Sequence, residues 1–152
     1  MTRKADMAVY NADGKLQLVV EVKKRAGASM EWVVQMHRNL LLHSLIPNAP
    51  YFLLALPDYF YFWKNTDTTN NQALPDYQIE TLELLSPYLK QSNLSLDEVS
   101  EYGFQFLITA WLEDFINSDL TKELVNPPLH PLFDSGLYQA LKNGSVAVEA
   151  TV

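Results

Sequence analysis

The chain has 152 residues, 48% of them apolar, with 18 Asp/Glu against 11 Lys/Arg for a net charge of −7, and no cysteine. That length suits one domain with a sizeable core, and the acidic balance excludes a simple nucleic-acid-coating protein. The lack of thiols excludes disulfides and thiolate metal sites and fits a reducing cytoplasm. No apolar h-region follows Met1-Thr2-Arg3-Lys4, and the most apolar stretch, residues 51–63, is broken at Pro57-Asp58. Neither a signal peptide nor a membrane helix is therefore expected.

Residues 5–10 and 16–23 are apolar runs rich in β-favouring residues on either side of Asn11-Ala12-Asp13-Gly14. An Asp-Gly pair is a strong hairpin signal, because Gly tolerates positive φ. With Asp13-Gly14 as a two-residue loop, Tyr10 faces Gln17, Ala8 faces Val19 and Asp6 faces Glu21. A four-residue loop sets Asp6 opposite Val19 and diagonal to Glu21, and a three-residue loop needs a bulge to restore the parity. Strand residues alternate faces, so Asp6 shares one face with Val19, Glu21 and Lys23. Leu16, Leu18, Val20 and Val22 take the other, the natural core side.

Carboxylates directly opposed across a sheet repel, and a cation between them removes that cost. Two hard oxygen donors suit Mg²⁺ or Mn²⁺, which keep waters and bind phosphate oxygens. Lys23 points to the same place, where it can orient or deprotonate a metal-bound water or offset charge on a scissile phosphate. The plain alternative is a solvated hairpin face on which Lys23, Lys24 and Arg25 end the strand. Residues 1–43 carry seven Lys/Arg and four Asp/Glu, +3, and the remainder four and fourteen, −10. Positive charge thus gathers around this face, with Lys24, Arg25 and Arg38 available for phosphates.

After a break at Ala26-Gly27-Ala28, Ser29 is a candidate N-cap, and Glu31 complements the dipole of a helix reaching about residue 46, before Pro47. Val33, Val34, Met36, Leu40, Leu41 and Leu45 supply its buried side. Gln35, Arg38 and Asn39 form a polar stripe. Turned to the hairpin, the stripe brings Gln35 to a metal-bound water; turned outward, it is an ordinary solvated stripe. His37 and His43 lie about 240° apart around the helix and cannot share a ligand. With His130 the only other histidine, all three read as structural.

Residues 51–56 and 59–64 read as strands around a Leu56-Pro57-Asp58 turn. The aromatic run at 59–63 either stacks bases or packs on both sheet faces, and packing is the preferred reading. Residues 65–76 read as a loop, and 79–91 as a helix interrupted at Pro87. Ser95-Leu96-Asp97-Glu98 is a capping box expected to open a long helix to about Asn117. Phe104, Leu107, Ile108, Trp111, Leu112 and Phe115 are spaced for its buried face, with Glu113 and Asp114 solvated. Residues 126–131 are Pro-rich and break regular structure. Residues 135–142 form a short helix closed by Asn143-Gly144, and 145–151 a last strand.

Asp6, fourteen intervening residues and then Glu21-Val22-Lys23 on an apolar strand resembles the PD-(D/E)xK, or restriction-endonuclease-like, nuclease superfamily. Residues 5–10 look like its second motif and 18–23 like its third, and the similarity covers the first third to first half of the chain. More loosely, the whole is similar to small bacterial, particularly cyanobacterial, proteins of that superfamily. The resemblance implies one α/β domain with a restriction-endonuclease-like mixed central sheet flanked by helices and a helical C-terminal half. A β-β-α-β-β core would span residues 1–64, and a mainly helical extension 79–152. It implies Mg²⁺ (or Mn²⁺) held by Asp6 and Glu21, Lys23 as the catalytic lysine, Gln35 as an assisting residue, and DNA as the substrate.

The core of such proteins usually begins with a helix, often carrying a Glu, and a strand, whereas only Met1 to Lys4 precede Ala5 here. The sheet edge so opened calls for a second copy in a homodimer, a partner chain, or coverage by the C-terminal segment. Two functions are therefore expected: a Mg²⁺-dependent nuclease, or a catalytically inactive module of the same fold serving protein interaction or assembly.

Overall fold

The computed structural model describes residues 4–42, 49–64 and 73–151. Its strands are β1 (Lys4–Tyr10), β2 (Leu16–Val22), β3 (Tyr51–Ala55), β4 (Tyr59–Lys64), β5 (Tyr77–Glu80) and β6 (Ser145–Thr151). Its helices are α1 (Met30–Leu42), α2 (Thr81–Ser92), α3 (Glu101–Ile116) and the short α4 (Pro131–Asp134) and α5 (Leu137–Leu141). The strands form one α/β mixed sheet in the order β5-β4-β3-β2-β1-β6. β2 and β3 run parallel, joined by a crossover through α1, and the other neighbours are antiparallel.

The hairpin forms as the third of its possible loops. Asn11 N–H donates to the Lys15 carbonyl (2.8 Å), and Asn11 Oδ1 accepts from the Asp13 and Lys15 amides (2.9 Å each). Gly14 takes the left-handed conformation (φ 80°) that this closure needs. The loop is therefore Ala12-Asp13-Gly14, three residues rather than two. Tyr10 pairs with Leu16, not with Gln17, while Val9 pairs with Leu18, Ala8 with Val19 and Met7 with Val20. Gln17 is the extra residue of a bulge, which restores the parity that an odd loop would reverse.

Both faces of the sheet are covered. Met7, Val9, Leu18, Val20 and Val22 join Leu53, Phe60 and Phe62 in a core with Phe104, Ile108 and Leu112 of α3 and Leu85 of α2. Val19, Phe52, Leu54, Tyr61 and Trp63 pack on the other face against Val33, Leu40 and Leu41 of α1. The aromatic run of β4 thus alternates between the two cores. Ser29 Oγ accepts from the Trp32 amide (3.1 Å), capping α1 as its sequence requires. The expected end of that helix, with His43 and Leu45, and most of the loop expected at 65–76 lie outside the described residues.

Three expectations in the second half are corrected. Ile79 and Glu80 belong to β5, not to a helix: Ile79 pairs with Phe60 and is buried beside it. Pro87 does not interrupt α2, which runs unbroken through it. Its missing amide loses one bond to the preceding turn, a loss offset by the burial of Leu84, Leu85 and Leu89 around it. The capping box at Ser95 is present but closes only a 3₁₀ turn at Leu96–Glu98. Val99 then becomes extended and buries its side chain in the core, and α3 starts afresh with Ser100 Oγ accepting from the Gly103 amide (3.0 Å).

The C-terminal half is thus not an appendage. Its helices cover one face of the sheet, and its last strand pairs with β1 from Lys4–Thr151 to Tyr10–Ser145. The β1 edge expected to be open is closed from within the chain. No helix among the described residues is long and apolar enough to cross a membrane. The turn into β6 passes so close to β1 that a Cβ on Gly144 would lie 2.0 Å from the Tyr10 carbonyl oxygen. Gly144→Ala should therefore cost about 2–4 kcal/mol in urea unfolding. A loss of a few tenths would show that the β6 turn is not wedged against β1.

Candidate functional site

Asp6 and Glu21 meet where the β1–β2 ladder gives way. The backbone pairing ends at Met7–Val20, and past it the two side chains replace the ladder. Val22 N–H donates to Asp6 Oδ2 (2.7 Å), and the Asp6 amide donates to the Glu21 carboxylate. The Asp6 carboxyl also lies against that of Glu21, where it can accept a hydrogen bond from the protonated Glu21 carboxyl. Glu21 is 7% exposed, and Asp6 is half-buried.

This environment pushes the Glu21 carboxyl up from its ordinary 4.5 to about 8. Burial is the largest cause, since it penalises the charged form; the Asp6 charge and the hydrogen bond to the Asp6 carboxyl add to it. Lys23 opposes the shift, its ammonium lying close enough to favour the ionised form, yet it does not outweigh burial and Asp6 together. Lys23 is half-buried, and its amide donates to the Ala55 carbonyl (3.1 Å), continuing the parallel β2–β3 pairing past the strand end. The three groups read from the sequence as one face, Asp6, Glu21 and Lys23, are thus brought together at the carboxyl end of β2. Open α/β sheets commonly bind ligands at such strand ends.

The other candidates stand apart from them. Gln35 is exposed, on the side of α1 opposite its buried row of Val33, His37, Leu40 and Leu41. The stripe it heads faces outward, into a shallow recess with Met30, Glu31, Val34, Arg38 and Leu74. Arg38 is half-buried there, its Nε without a hydrogen-bond partner among the described residues. Lys24 and Arg25 lie on the exposed loop after β2. Lys24 Nζ reaches the Asp97 carbonyl (3.5 Å), and the Arg25 guanidinium sits 4.7 Å from the Trp32 ring centroid.

Sequence reasoning missed three features. Asp58 accepts from the Gly27 amide (2.6 Å) and so ties the Lys24–Arg25 loop to the β3–β4 turn. Beside it opens a cleft of about 830 Å³ between that turn and α2, carrying Asp58, Tyr59, Glu80, Lys90 and Asp97 at its walls. Glu149 of β6 stands opposite Asp6 by register, between the Ala5–Ala150 and Met7–Val148 pairs. Its backbone is left-handed (φ 51°), its side chain is exposed, and no three Asp, Glu or His are gathered around a metal position among the described residues. Only the pairing of strands from opposite ends of the chain could have revealed Glu149.

His37 is structural, as its position suggested. It is 2% exposed, stacked on Trp63 (centroids 4.0 Å apart, 8° between planes), with neither ring nitrogen bonded among the described residues. Burial lowers it from 6.5 to about 4, against a small opposing pull from Asp76.

Comparison of the chain with family models, with curated proteins and with solved structures finds no match.

The two shifted groups set the stability of the metal-free protein against pH. Glu21, raised in the fold, contributes stability that is complete below about 4.5 and lost as pH rises through about 8. His37, lowered in the fold, contributes stability present above 6.5 and lost as pH falls through about 4. Each limb has a slope of about 1.4 kcal/mol per pH unit, and the two cancel where they overlap. Urea unfolding in EDTA should show a plateau between about pH 4.5 and 6.5, then falling stability up to about pH 8. Glu21→Gln should abolish the alkaline fall and turn the plateau into a rise set by His37; an unchanged alkaline limb would mean that Glu21 ionises normally in the fold.

Proposed function

We propose that this chain is a Mg²⁺-dependent phosphodiesterase acting on nucleic acid, with DNA as the expected substrate. The observation that carries the reading is the carboxyl-to-carboxyl contact of Glu21 and Asp6, buried at a strand end with the Lys23 ammonium beside it. Two adjoining carboxylates fit a hard cation that completes its shell with water. Asp6 and Glu21 would hold it, and the proton on Glu21 would leave on binding. When bound, the cation would supply Lewis acidity toward a phosphoryl oxygen. Lys23 would orient the attacking water or offset charge on the phosphate. Lys24 and Arg25, on the exposed loop that follows, would meet neighbouring phosphates. Gln35, on the outward side of α1, has no part in the reacting group, and Arg38 beside it would act only on substrate extending past that helix.

One observation favours the second reading, an inactive nuclease-fold module serving protein interaction or assembly. The protonated Glu21–Asp6 pair satisfies its own hydrogen bonds without a cation. Metal response separates the two. Millimolar Mn²⁺ should raise the melting temperature, more at about pH 9 than at about pH 6, because the proton on Glu21 competes. The shift should vanish in Asp6→Ala and in Glu21→Gln. No shift in the folded wild-type protein would favour the module.

Activity gives an independent check. With Mn²⁺ and plasmid DNA, Lys23→Ala should slow cleavage about 10²–10⁴-fold while keeping the metal-induced shift. Equal cleavage by Lys23→Ala and wild type would remove the lysine from the chemistry.

A further inference from the structure

We propose that the free edge of β6, together with the exposed aromatic side of α3, is the surface on which two copies of this chain pair. β6 is bonded to β1 on one side and, among the described residues, to no strand on the other. Its seven residues, Ser145–Thr151, hold one charge, Glu149, and neither Lys nor Pro, the residues that commonly blunt an exposed edge. Register fixes its faces. Val146 pairs with Val9 and Val148 with Met7, and both partners belong to the core beneath α3. Val148 remains 50% exposed.

α3 supplies the other half of the surface. On one flank, Trp111 meets Phe60 of β4 (5.7 Å between centroids). On the other, α3 crosses β1, with Gln105 Nε2 3.5 Å from the Asp6 carbonyl and the Thr109 hydroxyl 3.2 Å from Met7 Sδ. The next residues round the helix in that direction are Tyr102 and Phe106, one turn apart. Tyr102 follows directly after Thr109 round the helix and Phe106 about 40° further, turning away from the sheet; they are 77% and 67% exposed on a helix that packs on β6. A Tyr and a Phe one turn apart on α3 and an exposed Val on the unpaired edge are the apolar groups that this pairing would bury.

One symmetry operation satisfies both features. A two-fold axis perpendicular to the sheet pairs β6 antiparallel with its copy and continues the six strands into twelve. The same axis keeps α3 and its copy on one face of the joined sheet, so Tyr102 and Phe106 of each meet across it. An aromatic side chain buries on the order of 150–250 Å². Four of them with two strand edges bring the contact to about 1,000 Å², where specific interfaces begin. The inference stands apart from the phosphodiesterase reading. Glu21 alternates with Val20 and Val22 and so points to the opposite face, which this pairing leaves uncovered.

Sedimentation equilibrium of the full chain at about 100 μM tests it. The wild type should have twice the monomer mass. The double variant Tyr102→Glu, Phe106→Glu, at two exposed positions, should have the monomer mass with an unchanged circular dichroism spectrum. Leu82→Glu, at an exposed site on α2 beside Pro57 and Tyr59, should remain dimeric. A monomeric wild type, or a double variant that still dimerises, would overturn the proposal.

Discussion

The register between β1 and β2 governs the rest of this structure. A slip of one residue in a strand pair sends every side chain to the opposite face. Here the register decides that Met7, Val9, Leu18 and Val20 enter the core beneath α3, and that Glu21 does not. A small set of atoms fixes it: the Asn11 side chain gathers two amides of the turn, Gly14 takes a positive φ, and Gln17 bulges. Without the bulge, the odd loop would turn Glu21 into an apolar layer with no partner for its charge, a cost of several kcal/mol. The turn and the carboxyl site are therefore consequences of one pairing.

That pairing also explains the chemistry at its open end. Backbone pairing stops one residue before Asp6 and Glu21, and their side chains take over the hydrogen bonds that the ladder gives up. The substitution buries a carboxyl beside another carboxyl, and burial and repulsion together outweigh the attraction of Lys23. Such a pair holds a proton at neutral pH in the absence of another positive charge. A proton and a divalent cation are alternative solutions to the same electrostatic problem, which is why a site of this kind serves either structure or catalysis. The Lys24–Arg25 loop, tied back by Asp58 and by Trp32, places further positive charge next to it.

What the sequence disclosed follows from the range of each interaction. The hairpin, the Ser29 cap and the alternation of the β4 aromatics depend on neighbours a few residues apart, and they were legible. The meeting of Asp6 with Glu21 was legible too, because hairpin parity carries it. β5 was hidden because its four residues are a strand only through pairing with β4. The Ser95 capping box was a true local signal overridden by the burial of Val99. Gln35 shows a different limit. Periodicity tells which residues share a helical stripe, but not whether that stripe faces the sheet or solvent. Glu149, nearly the whole chain away from Asp6, comes level with it only once β6 has paired with β1.

A crystal grown with Mn²⁺ at about pH 8.5, above the range in which Glu21 holds its proton, would decide whether the carboxyl pair is a metal site. An anomalous difference peak between Asp6 and Glu21, with the two carboxyls no longer hydrogen-bonded to each other, is the expected result. The same two carboxyls still in contact, with no peak between them, would contradict the phosphodiesterase reading and leave the pair a structural clasp at the end of the hairpin.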